Sequence, residues 1–195
     1  MWIFGYGSLM WYTDFPYQKV LGGTVRGFER RFWQLSPDHR GTPEKPGRTV
    51  TLVSVKEGHC WGLAYKVPEN EVEKTIKYLD HREKAGYSIQ YLDFYPDNGE
   101  KPFKVAVYIS PQSDNEFHAG PTEIEEVALQ ILDCHGPSGP NLEYALRVAD
   151  ILHKKAPHYI DEHVFELEKL LLKKAIESGT GLHILETLGY SAKSS

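Results

Sequence analysis

Strand-like alternation fills the first 110 residues of this chain and helical spacing fills the last third, and no other feature constrains the fold as tightly. Met1-Trp2-Ile3-Phe4 reads as a short buried strand. Thr49 to Val55 is β-branched and apolar, and Trp61, Leu63, Tyr65 and Val67 alternate along another strand. Tyr87 to Tyr95 and Phe103 to Ile109 read as two strands joined across Pro96-Asp97-Asn98-Gly99, a turn signal. Helices are predicted over roughly 121–134, 141–155 and 160–176. The last carries a packing stripe of Ile160, Val164, Leu167 and Leu171. One further helix is inserted among the strands. Strands first and helices later predict an α+β fold rather than a doubly wound sheet. The length of 195 residues favours one domain, taken as residues 1–178, with a loose tail over 179–195.

Composition excludes several classes. Apolar residues at 41% and charged residues at 25% describe an ordinary globule, and the formal charge of −5 argues against a general nucleic-acid binder. Arg26, Arg30 and Arg31 form a small basic cluster that reads as a solvated strand or turn face. No signal-peptide pattern is visible, and the longest apolar run, Val105 to Ile109, is too short to cross a membrane. Two cysteines, Cys60 and Cys134, are too few for a disulfide framework, and Cys60 reads as a small buried hydrophobe. The cytosol is the expected compartment.

The first strand runs straight into Gly5-Tyr6-Gly7-Ser8-Leu9-Met10. Glycine permits positive φ, so successive N–H groups can turn toward one point and form a cradle for an anion or oxyanion. A plain tight turn is the other reading. The dinucleotide fingerprint would need a third glycine where Met10 stands, and no Lys-Ser or Lys-Thr pair follows to make a phosphate loop.

A carboxylate stands where an apolar residue is expected. Pro68-Glu69-Asn70 marks a helix start, and Val72, Ile76, Leu79 and Glu83 fall within roughly 60° of one another at helical spacing. Gly86 suits the position after a helix end, which puts Glu83 in the last turn. Desolvation and the helix dipole both raise the pKa of a carboxyl there, as proton exchange near neutral pH requires. Alternatively, Glu83 bends to solvent or pairs with an arginine. A third unusual segment, Asp38 to Arg48, holds two prolines, two glycines and two arginines. Either Arg40 or Arg48 could clamp a substrate carboxylate, or both pair locally within a surface loop. The nine histidines show no metal-ligand spacing, and no Gly-any-Ser-any-Gly elbow is present.

Taken together, Phe4-Gly5-Tyr6-Gly7-Ser8-Leu9, Asp38-His39-Arg40-Gly41-Thr42-Pro43, Tyr78-Leu79-Asp80 with Arg82-Glu83, and Gly136-Pro137-Ser138-Gly139 with Asn141 and Tyr144 resemble the ChaC family. The likeness covers roughly residues 1 to 170 and is nearest the second ChaC type. The chain departs from the family at Pro140, where members often carry a basic residue. The resemblance implies a gamma-glutamylcyclotransferase-like fold, a small mixed β-barrel flanked by helices. It also implies cleavage of glutathione into 5-oxoproline and cysteinylglycine, with no metal or cofactor. A monomer without nucleic-acid or membrane partners is expected beside it. Glu83 would be the proton shuttle. Ile3, Phe4, Gly5, Tyr6, Gly7, Ser8 and Leu9 would line the substrate, with N–H groups from Tyr6 to Leu9 on its carboxylate or its oxyanion. Ser8 and Tyr144 would be side-chain donors, and Arg40 a further contact. The alternatives are cyclotransfer on other gamma-glutamyl compounds, or a non-catalytic gamma-glutamyl-binding module.

Overall fold

The computed structural model describes residues 1–82 and 87–190. Its architecture is α+β, with a closed barrel of five strands and, among the described residues, five α-helices. The barrel strands are β1 (Trp2–Gly5), β2 (Lys19–Ser36), β3 (Gly47–Lys66), β4 (Ser88–Pro96) and β5 (Phe103–Ile109), in the order β1-β3-β2-β4-β5. β1 runs antiparallel to β3, with Ile3 opposite Tyr65, and parallel to β5, with Phe4 opposite Val107, which closes the ring. The chain divides into two compact units, Met1–Arg31 with Val50–His118, and Phe32–Thr49 with the residues from Ala119 onward. β2 and β3 contribute to both.

In the first unit, the strand read from Trp61 to Val67 continues upstream without a break. The two predicted strands over 49–55 and 61–67 are one strand of 20 residues. Ile3, Leu9, Phe15, Tyr65, Val67, Leu79 and Tyr108 form a common apolar cluster. Phe4 stacks near Tyr6 and packs on Phe94, at ring separations of 6.2 and 5.7 Å. Helix α1 (Val72–Arg82) lays Leu79 onto this core and packs Val72 against it. Cys60 is buried, as its place in a strand predicts.

β2 has no counterpart among the predicted strands, and its burial explains why. From Arg30 to Ser36 every second residue is buried, but the buried set is Arg30, Phe32, Gln34 and Ser36, mostly polar. Hydropathy alternation cannot mark such a strand. The expectation that Arg30 is solvated is overturned, since it is 1% exposed. Its guanidinium donates to the Trp61 carbonyl and, at 3.2 Å, to Cys60 Sγ. A buried charge must be hydrogen-bonded, and β3 supplies these acceptors.

The second unit holds α2 (Ile124–Asp133), the two-residue strands β6 (His135–Gly136) and β7 (Gly139–Pro140), α3 (Asn141–Lys155), α4 (Glu162–Ser178) and α5 (Leu182–Thr187). Val127, Ile131, Leu146, Leu152, Val164, Leu167 and Leu171 make its core. The predicted stripe holds except at Ile160, which is 73% exposed. Asp161 caps α4 by accepting the Val164 N–H at 3.1 Å, so Ile160 lies before the helix. Beyond Ser178, where a loose tail is expected, Gly179 at φ 71° ends α4 and α5 buries Ile184 and Leu185. No helix among the described residues is long and apolar enough to cross a membrane.

Candidate active site

The glycine segment follows β1 and folds into a 3₁₀ turn, Ser8–Met10. The expectation that its glycines adopt positive φ is overturned: Gly7 has φ −126°, and Gly5 is not among the residues with positive φ. Close approach explains Gly5 instead. A Cβ there would stand 2.6 Å from Leu9 Cβ, so only glycine lets the turn fold back on the strand end. Ile3, Phe4, Tyr6 and Leu9 bury their side chains, so what they can offer a ligand is backbone. Two tyrosines pin the loop: the Tyr6 hydroxyl donates to the Tyr108 carbonyl at 2.7 Å, and the Tyr65 hydroxyl donates to the Leu9 carbonyl at 2.7 Å. Within the turn, the Met10 N–H reaches the Gly7 carbonyl and the Tyr12 N–H the Ser8 carbonyl, both at 2.9 Å. The leading N–H groups, those of Ser8 and Leu9, have no acceptor inside such a turn.

Helix α1 closes on this loop through its last two turns. Arg82 Nη2 donates to Ser8 Oγ at 2.9 Å, and Arg82 Nη1 lies 3.5 Å from the Tyr12 carbonyl. The Arg82 guanidinium also sits over the Tyr12 ring, 5.3 Å from its centroid. The Tyr108 hydroxyl donates to Asp80 Oδ1 at 2.9 Å, which links Tyr6, β5 and α1 in one chain of hydrogen bonds. The Tyr78 hydroxyl donates to Asp14 Oδ2 at 3.0 Å. Hydrogen bonding by Tyr12 and then Tyr78 holds the Asp14 carboxyl below its ordinary range, and the same bond raises Tyr12. Arg82, Tyr108 and Asp14 carry no role in the sequence reading. Arg82 and Ser8 are 74 residues apart, and no local pattern signals such a pairing. The expected proton shuttle Glu83, and Gly86 as helix stop, lie outside the described residues.

In the second unit, the segment between β2 and β3 is built backbone against backbone. A Cβ on Gly41 would collide with Gly47 N, one on Gly47 with the Arg40 carbonyl, and one on Gly136 with the His39 carbonyl. Asn141, fully buried, accepts the Arg48 N–H at 2.6 Å and donates to the Arg48 carbonyl at 2.8 Å. The Arg48 guanidinium is occupied as well: Nε donates to Gln130 Oε1 at 2.6 Å and Nη1 to the Phe32 carbonyl at 3.3 Å. Of the readings left open for the two arginines, local pairing describes Arg48. Arg40 is buried too, donates to the Pro140 carbonyl at 3.1 Å, and stands 3.8 Å from Glu143 Oε2. Burial lowers its pKa and the Glu143 charge opposes that shift. The Arg40 guanidinium lies 5.5 Å from the centroid of the Tyr144 ring, which packs edge-on against Phe32 at 6.1 Å. The structure therefore brings Ser8 and Arg82 together in the first unit, and Arg40 with Tyr144 in the second. Among the described residues, no group of three or more His, Cys, Asp or Glu is placed to hold a metal ion.

Comparison with known proteins agrees with these motifs. A glutathione-specific gamma-glutamylcyclotransferase 1 from Homo sapiens is 47% identical over 168 residues, covering 84% of this chain and 75% of that protein. The protein of the same name from Danio rerio is 42% identical over 175 residues, covering 88% and 89%. The crystal structure of a gamma-glutamyl cyclotransferase specific to glutathione, from yeast, superposes with a TM-score of 0.82 at 27% identity, covering 89% of this chain and 96% of that one. The profile of the ChaC-like protein family matches residues 1–174, and the chain belongs to that family.

Proposed function

We propose that the chain degrades glutathione, releasing 5-oxoproline and cysteinylglycine. The observation that carries this reading is the family match over residues 1–174, joined to relatives at 42% and 47% identity that bear the name of that activity. The substrate's own α-amine attacks its γ-amide carbonyl carbon. A five-membered ring closes, and the bond to the cysteine nitrogen breaks. The nucleophile comes from the substrate, and holding amine and carbonyl together is worth ~7–11 kcal/mol in favourable intramolecular cases. The protein supplies posture and proton transfer.

Glu83 takes the ammonium proton, because a protonated amine has no lone pair, and returns it to the leaving amine. It is the residue directly after Arg82 in the sequence, and Arg82 reaches Ser8. The Ser8 and Leu9 N–H groups, which lead the 3₁₀ turn, suit an anionic oxygen of the substrate: its carboxylate or the oxyanion. Arg40 and Tyr144 serve as a further contact for the glutamyl group or the leaving dipeptide. The enzyme acts as a monomer in the cytosol, in keeping with two free cysteines and a net charge of −5.

One experiment tests the reading. The purified protein is incubated with glutathione and with gamma-glutamyl-alanine, and 5-oxoproline is assayed. Release from glutathione alone, with cysteinylglycine in equal amount, is the expected result. Equal release from gamma-glutamyl-alanine replaces the glutathione assignment with general cyclotransfer, and binding without release leaves a gamma-glutamyl-binding module.

A further inference from the structure

We propose that Arg82 is a positioning residue for the glycine loop, holding the Ser8 hydroxyl as an oriented donor toward bound substrate; this rests on the activity proposed above. The argument starts from valence. A guanidinium carries only donors, so in the contact at 2.9 Å Ser8 Oγ accepts. The hydroxyl has one proton, and that proton must point away from Arg82. A serine that elsewhere would rotate among donor and acceptor states is thereby committed to donate in another direction. Ser8 opens the 3₁₀ turn, beside the leading N–H groups, so an anionic oxygen held there meets this proton as well.

The same side chain also spans the turn. Nη1 stands 3.5 Å from the Tyr12 carbonyl, beyond the other end of Ser8–Met10, and the guanidinium plane lies over the Tyr12 ring. Asp14 fixes that ring's hydroxyl in turn, and Tyr78 of α1 donates to the same carboxylate. Two residues of α1 thus grip the loop from outside, while Tyr65 and Tyr6 tie it to β3 and β5 from within. Lysine could reach one of the Arg82 acceptors but not both, for it has a single point of charge and no planar fork.

The test compares the parent with Arg82→Ala, Arg82→Lys, Ser8→Ala and the double variant Arg82→Ala/Ser8→Ala, measuring kcat and KM for glutathione alongside thermal melting. Arg82→Ala is expected to lower kcat/KM at least about 10-fold, mainly through kcat, as loss of one oriented donor to a developing charge does. Arg82→Lys recovers part of it. The double variant loses no more than the worse single, because both remove one interaction. Parent-like kcat/KM in Arg82→Ala, or losses that multiply in the double variant, overturns the proposal. Ser8→Ala keeps the test decisive if Arg82→Ala folds poorly, since it deletes the hydroxyl that accepts from Arg82 and donates to substrate while leaving Arg82 in place, and parent-like kcat/KM in Ser8→Ala overturns the proposal. If the parent releases no 5-oxoproline at all, the functional reading fails, and amide exchange decides the positioning claim alone. Faster exchange at Met10 and Tyr12 in Arg82→Ala supports it, and unchanged exchange overturns it.

Discussion

The loop that ends β1 and the loop between β2 and β3 are both rich in glycine, and they use it to opposite ends. In the first, Gly5 makes room for Leu9 to fold back, and the groups that hold the loop arrive from other elements: the Tyr65 hydroxyl, the Tyr108 carbonyl and the Arg82 guanidinium. In the second, Gly41, Gly47 and Gly136 let backbone touch backbone, and the polar groups around Arg48 are consumed internally by Asn141, Gln130 and Phe32. The first arrangement braces a turn from outside, and such a turn holds no acceptor for its own leading N–H groups. Around Arg48, the second spends its hydrogen bonds on its own architecture. Glycine and arginine content alone does not separate a site from a scaffold; the destination of the donors does.

That contrast breaks most visibly at Glu83. Glu83→Gln should fold like the parent by circular dichroism yet release 5-oxoproline at least about 10²-fold more slowly, the usual size of a general acid–base contribution. The amide keeps the shape but cannot take the ammonium proton. Near-parent turnover would end the assignment of Glu83 as the proton shuttle.

Asn141 should show the opposite signature. Asn141→Ala leaves the Arg48 N–H and carbonyl unpaired inside the protein, and each such group costs about 1–3 kcal/mol. Denaturant melts should show the midpoint fall, while the molecules still folded keep their KM for glutathione. A variant of parent stability would mean the second loop is not held as described.

A smaller effect belongs to Tyr65. Burial raises its phenol above the ordinary 10.0, and the phenol donates to the Leu9 carbonyl. A raised folded pKa contributes stability that is complete below the unfolded value and is lost as pH climbs through the folded one. Stability should therefore decline above about pH 10, and the decline should be shallower in Tyr65→Phe, which itself costs about 1 kcal/mol near neutrality. An alkaline slope unchanged by Tyr65→Phe would remove this tyrosine from the loop's support.

No change is expected from exhaustive chelation, because the proposed ring closure draws on Glu83 and the substrate's own amine. Activity lost to a chelator and restored by a metal ion would show a ligand set absent from the present account.

Local pattern carried the readings that local physics controls. The alternation of large apolar residues from Trp61 to Val67 and the stripe Val164, Leu167 and Leu171 were legible because residue type repeats there at the period of the backbone itself. So were the N-terminal strand, the turn after it, and the four motifs that pointed to the family, since short-range order is written in neighbouring residues. β2 was not legible, because its buried face is Arg30, Phe32, Gln34 and Ser36, and polar side chains are buried only when partners elsewhere satisfy them. Arg30 needs Trp61 and Cys60, Arg48 needs Asn141, and Ser8 receives Arg82, at sequence separations of 30 to 93 residues. Sequence alone thus determined the helices through α4 and every barrel strand but β2, and where a glycine turn leaves the first strand. Only the tertiary structure decided which charged groups are buried, why Gly5 must be glycine, and which helix grips the turn, because hydrogen-bond partners distant in the chain are chosen by packing and not by spacing.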